Sequence, residues 1–191
     1  MLSVTRIQSW YPFPFFLDRE KTLGDDEVIR KIIKKTIPNE KKCKLLDVDH
    51  GDGKLLLEAV KRNSLLQGVG LVRRREDIQA LWKEQKGDRI TIKVSEISDF
   101  RAQPEYDLIF LFECLAYYPK SRRMEMLQYC KMLLKPGGRI VTAAAKNCAE
   151  PTLRPAALQK LLQRSGFYKV SNMRLTASLR LLTAERINKH L

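Results

Sequence analysis

The sequence predicts an α/β fold, a doubly wound, mostly parallel sheet of seven strands, or of six, with helices on both faces. Three observations lead there. Short apolar runs alternate along the chain with segments whose apolar residues recur at helical spacing. Strands separated by helices of that length pair as right-handed crossovers, each packing its helix back onto the sheet. No repeat or low-complexity linker divides the 191 residues, so a single ordinary domain with one core accounts for them.

The elements follow in order. DDEVIRKIIKKTI (25–37) opens with acids, ends with basic residues, carries apolar residues at helical spacing and stops before Pro38. KLLDV (44–48) is a short apolar strand, GKLLLEAVKRNSLL (53–66) a helix and GVGLV (68–72) a strand again. REDIQALWKEQK (75–86) is helical, RITIKV (89–94) a β-branched strand and YDLIFLF (106–112) a fully apolar one. RRMEMLQYCKMLL (122–134) is a helix closed by the Lys-Pro-Gly-Gly that follows it, and RIVTAAA (139–145) is the next strand. Beyond residue 150 a helix ending at Gly166 leads into a strand, and LRLLTAERI (179–187) makes the last one, the turn into an antiparallel edge.

Composition limits what such a domain can do. Thirty-six Lys and Arg against 22 Asp and Glu leave a net charge of +14, a field that draws RNA, DNA or acidic protein faces, although solvated lysines alone produce the same total. Cys43, Cys114, Cys130 and Cys148 are far apart and fall mostly in apolar runs, which suits reduced, buried thiols of a cytoplasmic chain better than disulfides or zinc. His50 and His190 are the two histidines, too few for a multi-histidine metal site. Along a strand end the two-residue period puts His50 on the opposite face from Asp47 and Asp49, which argues against the three converging on a metal there. No apolar run reaches the roughly 20 residues that cross a bilayer. The first sixteen residues lack acids, as transit peptides do, but their proline-broken aromatic cluster fits a segment packed on the domain better. Cys114 as a nucleophile has no internal histidine but His50 to activate it.

In wound sheets ligands bind in the crevice beyond the carboxyl ends of the strands. The sequence places Asp47, Asp49 and Asp52 after the first strand, Glu96 after the third and Glu113 after the fourth. Acids gathered on that rim suit a cationic ligand, and strand-end loops are also polar for no further reason.

The succession LLDVDHGDG (45–53), VSEISDF (94–100), YDLIFLFECLAYYP (106–119) and MLLKPGGRIVTAAA (132–145) resembles the class I S-adenosylmethionine-dependent methyltransferases, especially the branch acting on small molecules, lipids and tRNA. The likeness covers about residues 40–175 and is carried best by the last two segments. It implies a Rossmann-like methyltransferase fold, S-adenosylmethionine as cofactor, a methyltransferase-like domain over 41–191, and a lid or substrate wall of the same domain over 1–40. By the resemblance, Asp47 ends the first strand near the methionine amino group, and Gly51 and Gly53 are the second and third loop glycines. Glu96 and Ile97 meet the adenine. Glu113 lies beside the transferred methyl group, and Leu115, Tyr117 and Tyr118 line the substrate side, where the tyrosines could equally be packing residues.

Two positions depart from the family pattern. Asp49 stands where the family has the first loop glycine, so its side chain would crowd the methionine half of the cofactor. At the ribose position stands Gly70 or Val72 instead of an acid, and neither side chain accepts a hydrogen bond. Arg73, Arg74 and Arg75 follow, a solvated basic turn or a phosphate site; with no G-x-G-x-x-G in the chain, a dinucleotide is not indicated. No Asn-Pro-Pro-Tyr motif follows the fourth strand, so base amino groups within DNA are not the indicated acceptor. Two readings result. One is a methyltransferase acting on a small-molecule or RNA acceptor, and the other a catalytically silent methyltransferase-like subunit that binds RNA or a partner protein through its basic surface.

Overall fold

The computed structural model describes residues 26–48, 53–73, 88–112 and 114–187. Residues 1–25 of the lid expected over 1–40, the helix expected over 75–86 and the loop residues Asp49 to Asp52 lie outside them, as does Glu113; the rest of the expected lid is α1 and the turn that follows it. The elements are α1 (Asp26–Thr36), β1 (Cys43–Val48), α2 (Lys54–Arg62), β2 (Leu66–Val72), β3 (Ile90–Val94), β4 (Tyr106–Phe110), α3 (Lys120–Leu133), β5 (Leu134–Ala145), α4 (Pro155–Arg164), β6 (Tyr168–Arg174) and β7 (Leu179–Glu185). Single 3₁₀ turns precede α3 at Cys114–Tyr117 and α4 at Pro151–Leu153.

All seven strands join one sheet in the order β3-β2-β1-β4-β5-β7-β6. The β1 pairings to β2 and β4 are parallel, as are β2 with β3 and β4 with β5; β7 runs antiparallel to both β5 and β6. The chain winds outward from β1 in one direction and from β4 in the other. Right-handed crossovers in opposite directions put their helices on opposite faces. Accordingly α1 packs on α2, and α3 packs on α4. No helix among the described residues is long and apolar enough to cross a membrane.

Local chemistry sets the boundaries. Asp26 and Glu27 lie in the first turn of α1 and Lys34 and Lys35 in its last, complementing the helix dipole, while Val28, Ile29, Ile32 and Ile33 face the core. The second helix is shorter than the 53–66 span expected from its apolar pattern. Asn63, fully buried, breaks it: its amide donates to the Lys41 carbonyl at 2.8 Å and its side-chain oxygen accepts from the Leu65 N–H at 2.9 Å. A side chain that bonds to neighbouring backbone in this way competes with the helix ladder, so Leu66 opens β2 instead.

The Lys-Pro-Gly-Gly segment does not close α3 as expected. The helix ends at Leu133, Leu134 is already extended, and residues 135–138 belong to β5. They form a bulge: Tyr106 pairs with Leu134 but Leu108 with Arg139. Both glycines are required by geometry. Gly137 has φ 76°, which L side chains rarely adopt. A Cβ on Gly138 would stand 2.9 Å from the Lys135 carbonyl oxygen and 3.0 Å from that of Tyr106, both backbone atoms that cannot swing aside. Gly138→Ala is therefore expected to lower stability by about 1–3 kcal/mol, read from the urea unfolding midpoint.

All four cysteines are free and buried. Burial pushes the Cys43 thiol up to about 11, with Asp107 adding to the shift, and burial pushes Cys130 up to about 12. Unfolded thiols ionise near pH 9, so above that pH the unfolded chain releases protons that the folded chain retains. Stability is expected to be insensitive to these groups below pH 9 and to fall as pH rises from 9 towards 11. Thermal melts across that range test this, and a thiol reagent at neutral pH should label the cysteines only on unfolding.

Candidate functional site

The strand order brings the carboxyl ends of β1 and β4 side by side at the point where the winding reverses, which is where an open α/β sheet forms its crevice. Asp47 sits one residue from the end of β1, only 1% exposed, level with Gly70 on β2 and Phe110 on β4. Gly53, at the N-cap of α2, has φ 74° and ψ 3°. This left-handed conformation at the start of the helix explains a glycine there.

The register separates the two candidates for the ribose position. Gly70 lies level with Asp47 inside the sheet, whereas Val72 is the last residue of β2, and the Ser95 N–H donates to its carbonyl at 2.8 Å. Val72 is buried and apolar. Next along the chain comes Arg73, whose guanidinium carbon lies 4.5 Å from the ring centroid of Tyr117, in the 3₁₀ turn beyond β4. A cation over an aromatic face attracts it electrostatically, so this contact spans the crevice from the β2 end to the β4 end. Of the three arginines, Arg74 and Arg75 lie outside the described residues.

Glu96 follows β3 and is exposed, while its neighbour Ile97 is buried. With Tyr118, Met126 and Tyr129 they line a groove of about 370 Å³ between the post-β3 loop and α3. The loop is braced from α3: the Tyr129 hydroxyl donates to the Phe100 carbonyl, and Arg101 donates to that hydroxyl at 3.1 Å. Thus Glu96, Ile97 and Tyr118 come together, and Asp47, Val72 and Tyr117 stand at neighbouring strand ends. Tyr117 is exposed and Tyr118 half-buried against the core. Asp49, Gly51 and Glu113 lie outside the described residues.

One residue that the sequence reading missed organises the turn beyond β4. Arg123, in the first turns of α3, is 5% exposed. Its Nε donates to the carbonyls of Leu115 at 2.9 Å and Tyr118 at 3.0 Å, and its Nη1 to the Thr152 hydroxyl at 2.6 Å. Glu150 stands 3.9 Å away and also accepts from the Thr152 hydroxyl at 2.7 Å. That hydroxyl holds the Glu150 carboxyl below its usual range, with Lys120 acting in the same direction. The fork therefore ties the turn after β4 to the turn after β5. A signal was present: Arg123 begins the buried stripe 123, 126, 127, 130, 133 of α3, and a charge on a core-facing stripe needs several partners. Arg123→Met is expected to cost about 3 kcal/mol in urea unfolding, because it strands buried acceptors, and Arg123→Lys less.

No protein-family model matches the sequence, and no curated protein matches it. Solved structures do. A chain from a complex of the Haloferax volcanii Trm112 methyltransferase activator superposes with a TM-score of 0.70 at 15% identity, over 84% of this chain and 90% of that one. The Burkholderia thailandensis 1,6-didemethyltoxoflavin-N1-methyltransferase, solved with its substrate and S-adenosylhomocysteine, gives 0.66 at 15% identity, over 85% and 80%. Human N-acetylserotonin methyltransferase in complex with S-adenosylmethionine gives 0.62 at 16% identity, over 76% of this chain but only 48% of that longer one. At such identities the shared property is architecture: the chain has the α/β, Rossmann-like fold that these methyltransferases have.

Proposed function

We propose that the chain binds S-adenosylmethionine at the carboxyl ends of β1 to β4 and passes the methyl group to a small-molecule or RNA acceptor. The observation that carries this reading is the strand order, which opens a crevice between β1 and β4 with a glycine-capped helix directly beyond it. Structural neighbours crystallised with this cofactor or its demethylated product support it.

The described residues fit the cofactor in part. Asp47 and Gly53, at the two ends of the loop, would take the methionine half. Glu96 offers an exposed carboxylate beside the apolar Ile97, a pairing suited to an adenine amino group and ring. Val72 cannot hold the ribose hydroxyls. Losing a hydrogen bond to a charged acceptor is worth roughly 1.5–3 kcal/mol, or one to two decades of affinity, so binding is weakened rather than abolished.

When bound, the sulfonium supplies an already activated methyl group. The chain's own task is then alignment and proton handling. Glu113 and the hydroxyls of Tyr117 and Tyr118 would orient an acceptor oxygen or nitrogen and take its proton. Arg123 contributes by fixing the turn that carries both tyrosines. The apolar Val72 favours one other reading, a catalytically silent subunit of the same fold that works through an RNA or acidic protein partner. The Haloferax complex with an activator supports a protein partner for this chain as well.

Titration calorimetry with S-adenosylmethionine separates the readings. Micromolar to submillimolar binding is expected, weakened about tenfold by the surface change Glu96→Gln and tightened by Val72→Asp, with melting curves confirming that each variant is folded. Absence of heat at millimolar cofactor sinks the enzyme reading and leaves the silent subunit.

A further inference from the structure

The candidate cofactor site lies at the carboxyl ends of the strands; the opposite end of the sheet has a different chemistry. At the amino ends of β1 and β4 lies a polar pocket of about 270 Å³, lined by Lys41, Lys42, Asp107, Pro136, Gly137 and Arg139 among others. Its acids are already matched. Asp107 accepts from the Lys44 N–H at 2.7 Å and from Lys135 Nζ at 2.9 Å, and neighbouring Glu105 pairs with Lys44 Nζ at 2.5 Å. The remaining cations have no such match. Lys41 and Lys42 are exposed and form no ion pair among the described residues. Arg139 donates to the Thr36 carbonyl at 3.4 Å, which orients its guanidinium without neutralising it.

Cys43, in the pocket wall, registers the same convergence: Lys135, Arg139 and Lys41 each draw its pKa down, against the larger effect of burial. The positive field also continues past the pocket. Lys34 and Lys35, exposed in the last turn of α1, lie along the chain leading to Pro38 and Lys41. A single small anion would use only part of this surface. A polymer with a charge on every unit would use all of it, whereas a peptide is anionic only where its sequence is acidic.

We propose that the basin at the amino ends of β1 and β4 is a docking site for a nucleic-acid sugar–phosphate backbone, with Lys41, Lys42 and Arg139 as its principal contacts. The site goes beyond the cofactor reading and depends on neither cofactor binding nor methyl transfer. Among the described residues it offers charge-assisted donors but no aromatic platform for bases. Binding there is therefore tolerant of sequence and strongly dependent on salt.

The test is fluorescence anisotropy of the full chain with a short labelled oligouridylate across a potassium chloride series, with an oligothymidylate in parallel. The paired change Lys41→Glu with Lys42→Glu should weaken binding at least tenfold. It should also flatten the slope of log affinity against log salt by roughly 1.4, two single-strand contacts at about 0.7 each. The same charge change at exposed positions of α4, Lys160→Glu with Arg164→Glu, should leave both quantities nearly unchanged. Equal binding of both oligomers supports recognition of the phosphates alone, and a preference for oligouridylate supports an added contact to the ribose hydroxyl. The proposal is overturned by an unchanged affinity and slope in the Lys41 and Lys42 variant, by an equal loss in the α4 variant, or by a polyglutamate chain binding as tightly as oligouridylate. Calorimetry with S-adenosylmethionine on the same variants keeps a failure of the cofactor reading separate from a failure of this one.

Discussion

The burial of β1 between β2 and β4 is the constraint from which the architecture follows. Leu45 and Leu46 are fully enclosed, and the strand is paired on both sides, so its backbone donors and acceptors are met within the sheet. A shift of one residue would turn every side chain to the opposite face and carry Lys44 and Asp47 into places now filled by apolar neighbours, so the strand has little freedom to slip. Its register fixes the level of Asp47, and its two neighbours fix the direction in which the chain must wind. The crevice at one end and the basic basin at the other are both consequences of where that strand starts and stops.

Much of this was legible in the sequence because it rests on local signals. Uniform apolar runs such as YDLIFLF mark strands covered on both faces, and the acid-to-basic gradient of α1 marks the helix ends. The boundaries that differ are those set by partners distant in sequence. Asn63 stops α2 by bonding to Lys41, 22 residues away, and the Pro-Gly-Gly bulge reads as a helix stop until β4 is placed beside it. The candidate site is legible in the same uneven way. Glu96 and Ile97 could be located from their position after a strand. The contact of Arg73 with Tyr117 joins residues from two separate crossovers and has no local signature.

The two ends of the sheet differ in chemistry, and the winding gives part of the difference a physical basis. Carboxyl strand ends gather the loops that precede helices, where Asp47 and Glu96 lie. Amino strand ends gather helix C-termini and the turns after them, where a basic residue is favoured by the dipole. Lys34 and Lys35 satisfy that local preference, and Lys41, Lys42 and Arg139 add charge beyond what the helix ends require.

The Arg123 fork has a consequence for how the protein tolerates change. Because one guanidinium gathers carbonyls from the turn after β4 and the hydroxyl of Thr152, those two turns move as a unit. Sequence drift in either one is limited by the other, even at positions that meet no ligand. A survey of impaired variants would rank position 123 alongside residues that touch a substrate, although its side chain is spent wholly on the protein's own scaffold.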